Sequence, residues 1–452
     1  PDNILLLPVN LRIYNEGLKA GELRLWNPYL FCGYPVYADP MVHPFYPPHL
    51  VLHLLFPPDA ALEISLLLHL FFSGMAMYAL LRGLGRSPVA ATAGGVIWML
   101  FGYNAVYFSS SILQGVSVFG PLALLAIHRG LAARDLSRAA LGGAAMGMAI
   151  LGSHPQFALH LFLFFMAWLA VATFRSRGAR AFTVRFAAMF GFLAVGVGLA
   201  AILTRLDTLA NGYRQPSFDF RQFYGKPWLL LAHLGELVAG KVWSHGDSRT
   251  ALQFPDYAGL GATALAIAGA LRRRDDPWVR FVAIFGAAAL AAAFLKPLAW
   301  LLGFIPVLNM SPSARWIFTA GFCLAILAAY GLDSLAKVRG KSPLLLAAAA
   351  FVLVGLCLLF RFSSPRLIET AIGFGLVLAA ARFRPTIFIA ALLVELFPHF
   401  LAYNPHADAG ALKSPPEPVR FVRSLEGDQP WRGTGGLGSD YASRGEINLT
   451  EM

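Results

Sequence analysis

Long apolar runs recur along most of the chain, and each is bounded by charged or turn-forming residues. A transmembrane helix needs about 20 apolar residues, with a range of roughly 17 to 25. About twelve runs of this kind can be read from the sequence. Their approximate bounds are 59–81, 89–108, 113–128, 139–152, 157–174, 186–206, 256–271, 278–295, 316–335, 343–361, 367–381 and 386–402. We therefore predict an all-α integral membrane protein, a polytopic helix bundle with about twelve transmembrane helices.

Composition excludes two or three soluble domains, which a length of 452 residues would otherwise permit. Hydrophobic residues make up 57% of the chain and charged residues only 13%. That charged share is about half of the value that is usual for soluble domains, and the mean hydropathy is +0.61. A soluble protein with so few charges could not cover its surface.

The net charge of +12 fits either a surface for a polyanion such as nucleic acid or a topology signal on cytoplasmic loops. The positions of the basic residues decide between these interpretations. One set of alternate connections carries 17 of the 36 Lys and Arg residues in short loops, whereas the opposite set spreads another 17 over a far longer stretch. This one-sided bias is the positive-inside rule, and we expect no nucleic-acid partner.

The orientation that follows places residues 1–58, 207–255, 296–315 and the tail after 402 outside the cytoplasm. We predict a first extracytoplasmic loop over 1–58 and a transmembrane bundle over 59–402. The Pro- and Gly-rich residues 403–452 then form a linker and the start of an extracytoplasmic domain. We also expect a further segment to precede residue 1, because the sequence begins without a Met.

Apolar residues at helical spacing over residues 8–21 predict an amphipathic helix that could lie on the membrane interface. The same loop contains two carboxylates, Asp2 and Asp39, that are candidates for catalysis. A carboxylate at the headgroup level can act as a general base on an acceptor hydroxyl. Asp39 could instead be a turn residue, because it precedes Pro40. His43 is a candidate for substrate binding, although one His in such a loop is usually structural.

Two outer turns contain further candidates for substrate binding. His154 and Gln156 lie in a very short turn, where Gly and Pro would suffice for the backbone and both polar side chains could hydrogen-bond a phosphate or sugar. Arg315 ends an outer loop just before a predicted helix. It could snorkel to the lipid–water boundary, or it could bind the phosphate of a lipid substrate. The sequence contains no P-loop or hydrolase motif in a usable context.

The order of eight short motifs resembles the YfhO family of bacterial membrane proteins over nearly the whole chain. In the first loop these motifs are Leu25-Trp26-Asn27-Pro28-Tyr29, Gly33-Tyr34-Pro35, Ala38-Asp39-Pro40 and Phe45-Tyr46-Pro47-Pro48. Further along they are Gly152-Ser153-His154-Pro155-Gln156, Tyr257-Ala258-Gly259-Leu260, Ser313-Ala314-Arg315-Trp316-Ile317-Phe318 and Tyr330-Gly331-Leu332-Asp333.

The YfhO family in turn is similar to GT-C glycosyltransferases, which have a large first outer loop and use a polyprenyl-phosphate sugar as donor. The resemblance implies sugar transfer to an extracytoplasmic acceptor (a cell-envelope glycan, a teichoic acid or a lipid) at the bacterial cytoplasmic membrane. It places Asp2 and Asp39 at the positions of the family's acidic residues. The expected partners are a lipid-linked sugar, its acceptor and membrane lipids.

No metal site and no cofactor are expected, although two carboxylates could hold a divalent cation. The rival function is a lipid or polysaccharide transporter or flippase without catalytic activity, and a non-enzymatic assembly factor is a third interpretation. A transporter would predict charges in the centre of the bundle and inverted repeats. The sequence has few central charges and no convincing repeat.

Overall fold

The computed structural model describes residues 7–28, 33–39, 41–176, 178–211, 257–305, 308, 313–336 and 385–403. The chain divides into two compact units. The described part of the first unit lies within residues 7–65, and the second unit runs from Leu66 to Asn404. Nearly all regular structure in the described ranges is helical, apart from an antiparallel bridge between Asn27 and Tyr34.

The helices in the described ranges have the following bounds. The first unit contains α1 (Leu7–Lys19) and α2 (Pro47–Leu55), and α3 (Pro58–Gly83) begins in it and continues into the second unit. The second unit continues with α4 (Pro88–Leu100), α5 (Gly102–Val106), α6 (Gln114–Ala133), α7 (Leu136–Leu151), α8 (Pro155–Arg175), α9 (Arg180–Asn211), α10 (Leu260–Arg272), α11 (Pro277–Phe294), α12 (Lys296–Leu302), α13 (Trp316–Ala336) and α14 (Pro385–Tyr403).

The predicted class, a polytopic all-α membrane protein, is confirmed. Six described helices are long and apolar enough to cross a membrane, and four shorter ones are apolar as well. Helices occupy ten of the predicted spans over most of their length. The spans 343–361 and 367–381 lie outside the described residues, so the total of about twelve stays a prediction.

One predicted span, 89–108, is wrong as a continuous helix. Helix α4 ends at Leu100, and the short α5 follows after Phe101. The backbone groups that this break releases find partners within the protein, as they must in a lipid environment. The Asn104 side chain donates to the Trp98 carbonyl at 2.7 Å, and the Gly102 amide donates to the Tyr257 carbonyl at 2.8 Å.

The amphipathic helix of the first unit is confirmed as α1, and its expected place on the membrane interface stays a prediction. Leu7, Leu11 and Tyr14 are buried, and they form one core cluster with Val36 and Val42 of the following loop. Packing inside the unit therefore covers the apolar face that we expected to contact lipid. The Pro- and Gly-rich loop after α1 covers this apolar face with Val36 and Val42, although the loop contains no long helix of its own.

Helix α13 is the most deeply buried membrane helix of the second unit in the described ranges. It packs against α4, α10 and α11. The crossing with α10 depends on glycine, because a Cβ atom at Gly331 or Gly269 would collide with the backbone of the other helix. Small residues at such a crossing let two membrane helices approach closely.

Hydrogen bonds and an ion pair fix the end of α13 that lies among the basic connections. The Arg86 guanidinium pairs with the Asp333 carboxylate at 3.3 Å and covers the ring of Tyr330. The amide of Ser87 also donates to Asp333, at 3.1 Å. Arg86, which the sequence presents as a topology signal, therefore also joins the α3–α4 connection to α13.

We predict that Gly331→Ala destabilises the protein by about 1–3 kcal/mol, which is the usual cost of overpacking a tight contact. Gly191→Ala is the matched control, because Gly191 lies in α9 with no atom near the added methyl group. The control should leave stability unchanged or raise it slightly, since Ala favours helix over Gly. Thermal unfolding in detergent measures both variants, and equal midpoints would contradict the packing at this crossing.

Candidate functional site

The structure brings together three of the residues that the sequence singles out. Nη1 of Arg315 lies 2.9 Å from Oε1 of Gln156 and 3.3 Å from Nε2 of His154. Arg315 comes from the 3-10 turn Ser313–Arg315 that leads into α13. His154 and Gln156 come from the turn between α7 and α8. Two turns more than 150 positions apart in the sequence thus form one polar cluster.

His154 is held in place by its role at the start of α8. It is the N-cap residue, with Nδ1 facing the Gln156 amide at 3.4 Å, and Pro155 follows as the first helical residue. Its own amide donates to the Ile112 carbonyl at 2.8 Å. The local sequence therefore forms a capped helix start, since Pro is favoured at that first position.

The imidazole of His154 contacts N–H donors at both of its ring nitrogens, the Gln156 amide and the Arg315 guanidinium. A neutral imidazole has only one acceptor nitrogen. One of the two contacts must therefore bring two donors face to face. If Nδ1 accepts from Gln156, then Nε2 carries the proton and points toward Arg315. An anion between Nε2 and Arg315 would accept from both groups.

Aromatic rings surround this cluster. The Arg315 guanidinium lies 5.6 Å from the ring centre of Phe157, within reach of a cation–π interaction. The next residue, Trp316, stacks on His160 with ring centres 3.8 Å apart. The Tyr103 hydroxyl donates to the Ala314 carbonyl at 3.0 Å, which fixes the turn that carries Arg315.

Asp39 lies in the first unit and is almost fully buried. Its Oδ2 accepts from the Asn10 amide at 3.0 Å, and its Oδ1 accepts from the Met41 backbone at 2.8 Å. The Asn27 amide in turn donates to Oδ1 of Asn10 at 3.1 Å. Burial raises the pKa of Asp39, and the hydrogen bonds from Met41 and Asn10 oppose that shift. In this arrangement Asp39 ties α1 to its loop.

His43 is also buried in the first unit, with a left-handed backbone at φ 52°. Its ring begins a row of aromatic contacts that passes through His49 and His53 to Tyr14, with ring centres 5.5 to 6.0 Å apart. Burial lowers the pKa of His53 to about 3, so this imidazole is neutral at physiological pH. The row packs α2 against α1.

Asp2 lies outside the described residues. Asp39 and His43 belong to the first unit, whereas His154, Gln156 and Arg315 belong to the second. The described ranges contain no group of three or more His, Cys, Asp or Glu side chains that could hold a metal ion. The absence of a cofactor and the alternative of a divalent cation both stay predictions.

The sequence did not reveal the contacts of Arg205 near the C-terminal end of α9. Its guanidinium donates to the carbonyl oxygens of Ile150 and Ser153, next to the His154 turn. An ionisable residue inside a predicted span was the available signal. The sequence could not indicate which backbone atoms that residue contacts.

Comparison with known proteins supports the fold. No protein-family model matches the chain, and no curated protein matches it, so the resemblance to the YfhO family stays a prediction. Among solved structures, the chain is similar to ArnT from Cupriavidus metallidurans, which was crystallised with undecaprenyl phosphate bound. The TM-score is 0.50 and the identity is 17%, with 89% of this chain and 71% of that chain covered. ArnT is a GT-C glycosyltransferase, so the fold is GT-C-like.

We predict that Asn10→Ala destabilises the first unit by about 1–3 kcal/mol, because it removes a buried hydrogen bond to the Asp39 carboxylate. Asn211→Ala is the control, since the Asn211 side chain makes exposed bonds to Asp207. The control should change stability by less than about 0.5 kcal/mol. Hydrogen exchange over residues 7–56 and thermal unfolding report the effect. Unchanged protection in Asn10→Ala would mean that this network does not hold the unit together.

Proposed function

We propose that the protein is a membrane glycosyltransferase that moves a sugar from a polyprenyl-phosphate donor to an acceptor outside the cytoplasm. The observation that carries this proposal is the cluster of Arg315, His154 and Gln156 at two turns of a GT-C-like bundle. The acceptor class that we propose is a cell-envelope glycan, a teichoic acid or a lipid. The proposed location is the bacterial cytoplasmic membrane, with the active face outside, and the proposed family is YfhO.

The position of the cluster suits a lipid-linked substrate. A polyprenyl donor keeps its tail in the bilayer, so its phosphate stays at the headgroup level where membrane helices meet outer loops. Arg315 stands immediately before the first residue of the buried helix α13, and the proposal puts it at this level. The similarity to ArnT supports the donor class, because that protein was solved with undecaprenyl phosphate bound.

The chemistry of the cluster suits a phosphate. Arginine presents a planar fork of donors that matches phosphate oxygens. With the proton on Nε2 of His154, an oxygen placed between Nε2 and Arg315 would accept from both groups and separate two donors that otherwise face each other. Gln156 now accepts from Arg315 at 2.9 Å and holds the guanidinium in place. We propose that Arg315 binds the donor phosphate and that His154 and Gln156 complete this site.

The transfer itself needs a base. The acceptor hydroxyl oxygen attacks the anomeric carbon, and the bond from that carbon to the phosphate oxygen breaks through an oxocarbenium-like state. The hydroxyl proton passes to a carboxylate, and polyprenyl phosphate leaves with the bonding electron pair. Arg315 offsets the charge that develops on the leaving phosphate.

Asp2 and Asp39 are the proposed carboxylates, and we favour Asp2 as the base. Both oxygens of Asp39 accept hydrogen bonds from Asn10 and Met41 within the first unit, and those bonds would compete with an acceptor hydroxyl. Asp39 then supports the loop that presents the acceptor, and His43 lies in the same loop as a proposed contact to substrate. Neither assignment requires a metal ion.

We predict that Arg315→Met lowers kcat for transfer from a labelled polyprenyl-phosphate sugar about 10²–10³-fold, because it removes a group that stabilises developing charge. Arg315→Lys should recover only part of this loss, since a lysine lacks the planar fork. Arg280→Met is the matched control, because Arg280 is an exposed arginine in the membrane helix α11. Full activity in Arg315→Met would exclude Arg315 from the phosphate site.

We predict that Asp2→Asn abolishes transfer while binding of the donor lipid persists, because the variant loses its base and keeps its phosphate site. Asp39→Asn should lower stability and activity together. If both variants retained transfer, the assignment of the base would be wrong. If the wild-type protein moved a labelled lipid across vesicle membranes and transferred no sugar from any polyprenyl-phosphate donor, the transporter alternative would replace the enzyme.

A further inference from the structure

Arg205 is a cation in the long apolar stretch of helix α9, most of which the rest of the described protein leaves uncovered. Helix α9 has the smallest buried share among the six long apolar helices in the described ranges, and Leu199, Leu203 and Leu206 around Arg205 are exposed. An ionisable group in a membrane helix is costly, and it usually faces polar partners inside the bundle. The partners of Arg205 therefore indicate what the residue does.

Those partners are backbone oxygens at the end of α7. Nη1 donates to the Ile150 carbonyl at 3.1 Å, and Nη2 donates to the Ser153 carbonyl at 2.6 Å. The last carbonyls of a helix have no partner within the helix, and the helix dipole makes that end favourable for a cation. A guanidinium can serve two carbonyls at once because its donors form a fixed fork.

The peptide that Arg205 holds leads directly into the Arg315 cluster. The Ser153 carbonyl belongs to the peptide bond of His154, and His154 and Gln156 contact Arg315. Two further bonds fix the same turn on its other side. The Val116 amide donates to Oγ of Ser153 at 2.6 Å, and the Gly115 amide donates to the Gly152 carbonyl at 2.8 Å. Among these groups that bind the turn, Arg205 is the charged side chain.

We propose that Arg205 is a positioning residue for the phosphate site. It holds the Gly152–Gln156 turn in the position where His154 and Gln156 contact Arg315. This inference rests on the proposed function. Arg205 itself contacts the turn rather than the substrate, and Arg315 contacts the phosphate. Two guanidinium groups thus hold the turn: Arg205 binds its backbone, and Arg315 contacts its side chains.

The first test measures the affinity for undecaprenyl phosphate in detergent. Arg205→Met should weaken binding about tenfold, because a shift of the turn by about an ångström misplaces the groups on the phosphate. Arg280→Met, the same change at an exposed arginine of α11, should leave the affinity unchanged. Arg205→Lys should retain part of the affinity, since one ammonium group can hold one of the two carbonyls, and it is the variant to measure if Arg205→Met does not fold.

A double-mutant cycle separates positioning from general support of the fold. If Arg205 acts through the Arg315 cluster, adding Arg205→Met to Arg315→Met should cause little further loss of affinity, because residues that share one network are not additive. Full additivity of the two losses would overturn the proposal, and so would wild-type affinity in a folded Arg205→Met variant.

Hydrogen exchange makes the positioning role measurable without any ligand. Arg205→Met should speed exchange at the amides of residues 152–154, 156 and 157 and leave the distant Arg86–Asp333 end of the second unit protected. Unchanged exchange in the turn would overturn the positioning role. If the wild-type protein binds no polyprenyl phosphate but the turn still loosens in Arg205→Met, then the proposed function fails and the contact between Arg205 and the turn stands.

Discussion

Arginine fixes helix α13 at both of its ends, and the candidate site depends on that arrangement. At one end Arg86 pairs with Asp333 of the helix, and at the other Arg315 precedes its first residue and contacts the turn before α8. Charges are tolerated at such ends because water is within reach, whereas the middle of a membrane helix excludes them. Between the two ends, tight glycine packing against α10 holds α13 close. Arg315 is therefore presented from a helix that has little freedom to move.

A fixed arginine suits the proposed reaction. In sugar transfer from a lipid phosphate, negative charge grows on the phosphate as the glycosidic bond breaks, and a donor that is already in position stabilises this charge without reorganisation. His154 and Gln156 contribute to the same place because the capped start of α8 orients them. The GT-C-like fold brings these two turns together. Within the first unit, Asp39 is buried in a polar network that ties α1 to the loop that follows it.

The sequence predicted most of the fold, because membrane helices are encoded by local composition. The spans over α6 and α7 were short and still proved to be helices. It also predicted His154, Gln156 and Arg315 as separate candidates, since each lies at an outer turn. It could not predict their contact, which depends on how distant helices pack. Three further features depend on distant partners as well: the break at Phe101, the carbonyl oxygens that Arg205 binds, and the amide of Asn10 that engages Asp39.

A structure of the protein with undecaprenyl phosphate bound decides whether Arg315 and His154 hold the donor phosphate. We expect the phosphate at the two turns that carry these residues, with its oxygens about 3 Å from the Arg315 guanidinium and from Nε2 of His154, at hydrogen-bond distance. The contact between Arg315 and Nε2 of His154 would then open to admit the oxygen. A phosphate bound elsewhere, with Arg315 still resting on His154 and Gln156, would contradict the account.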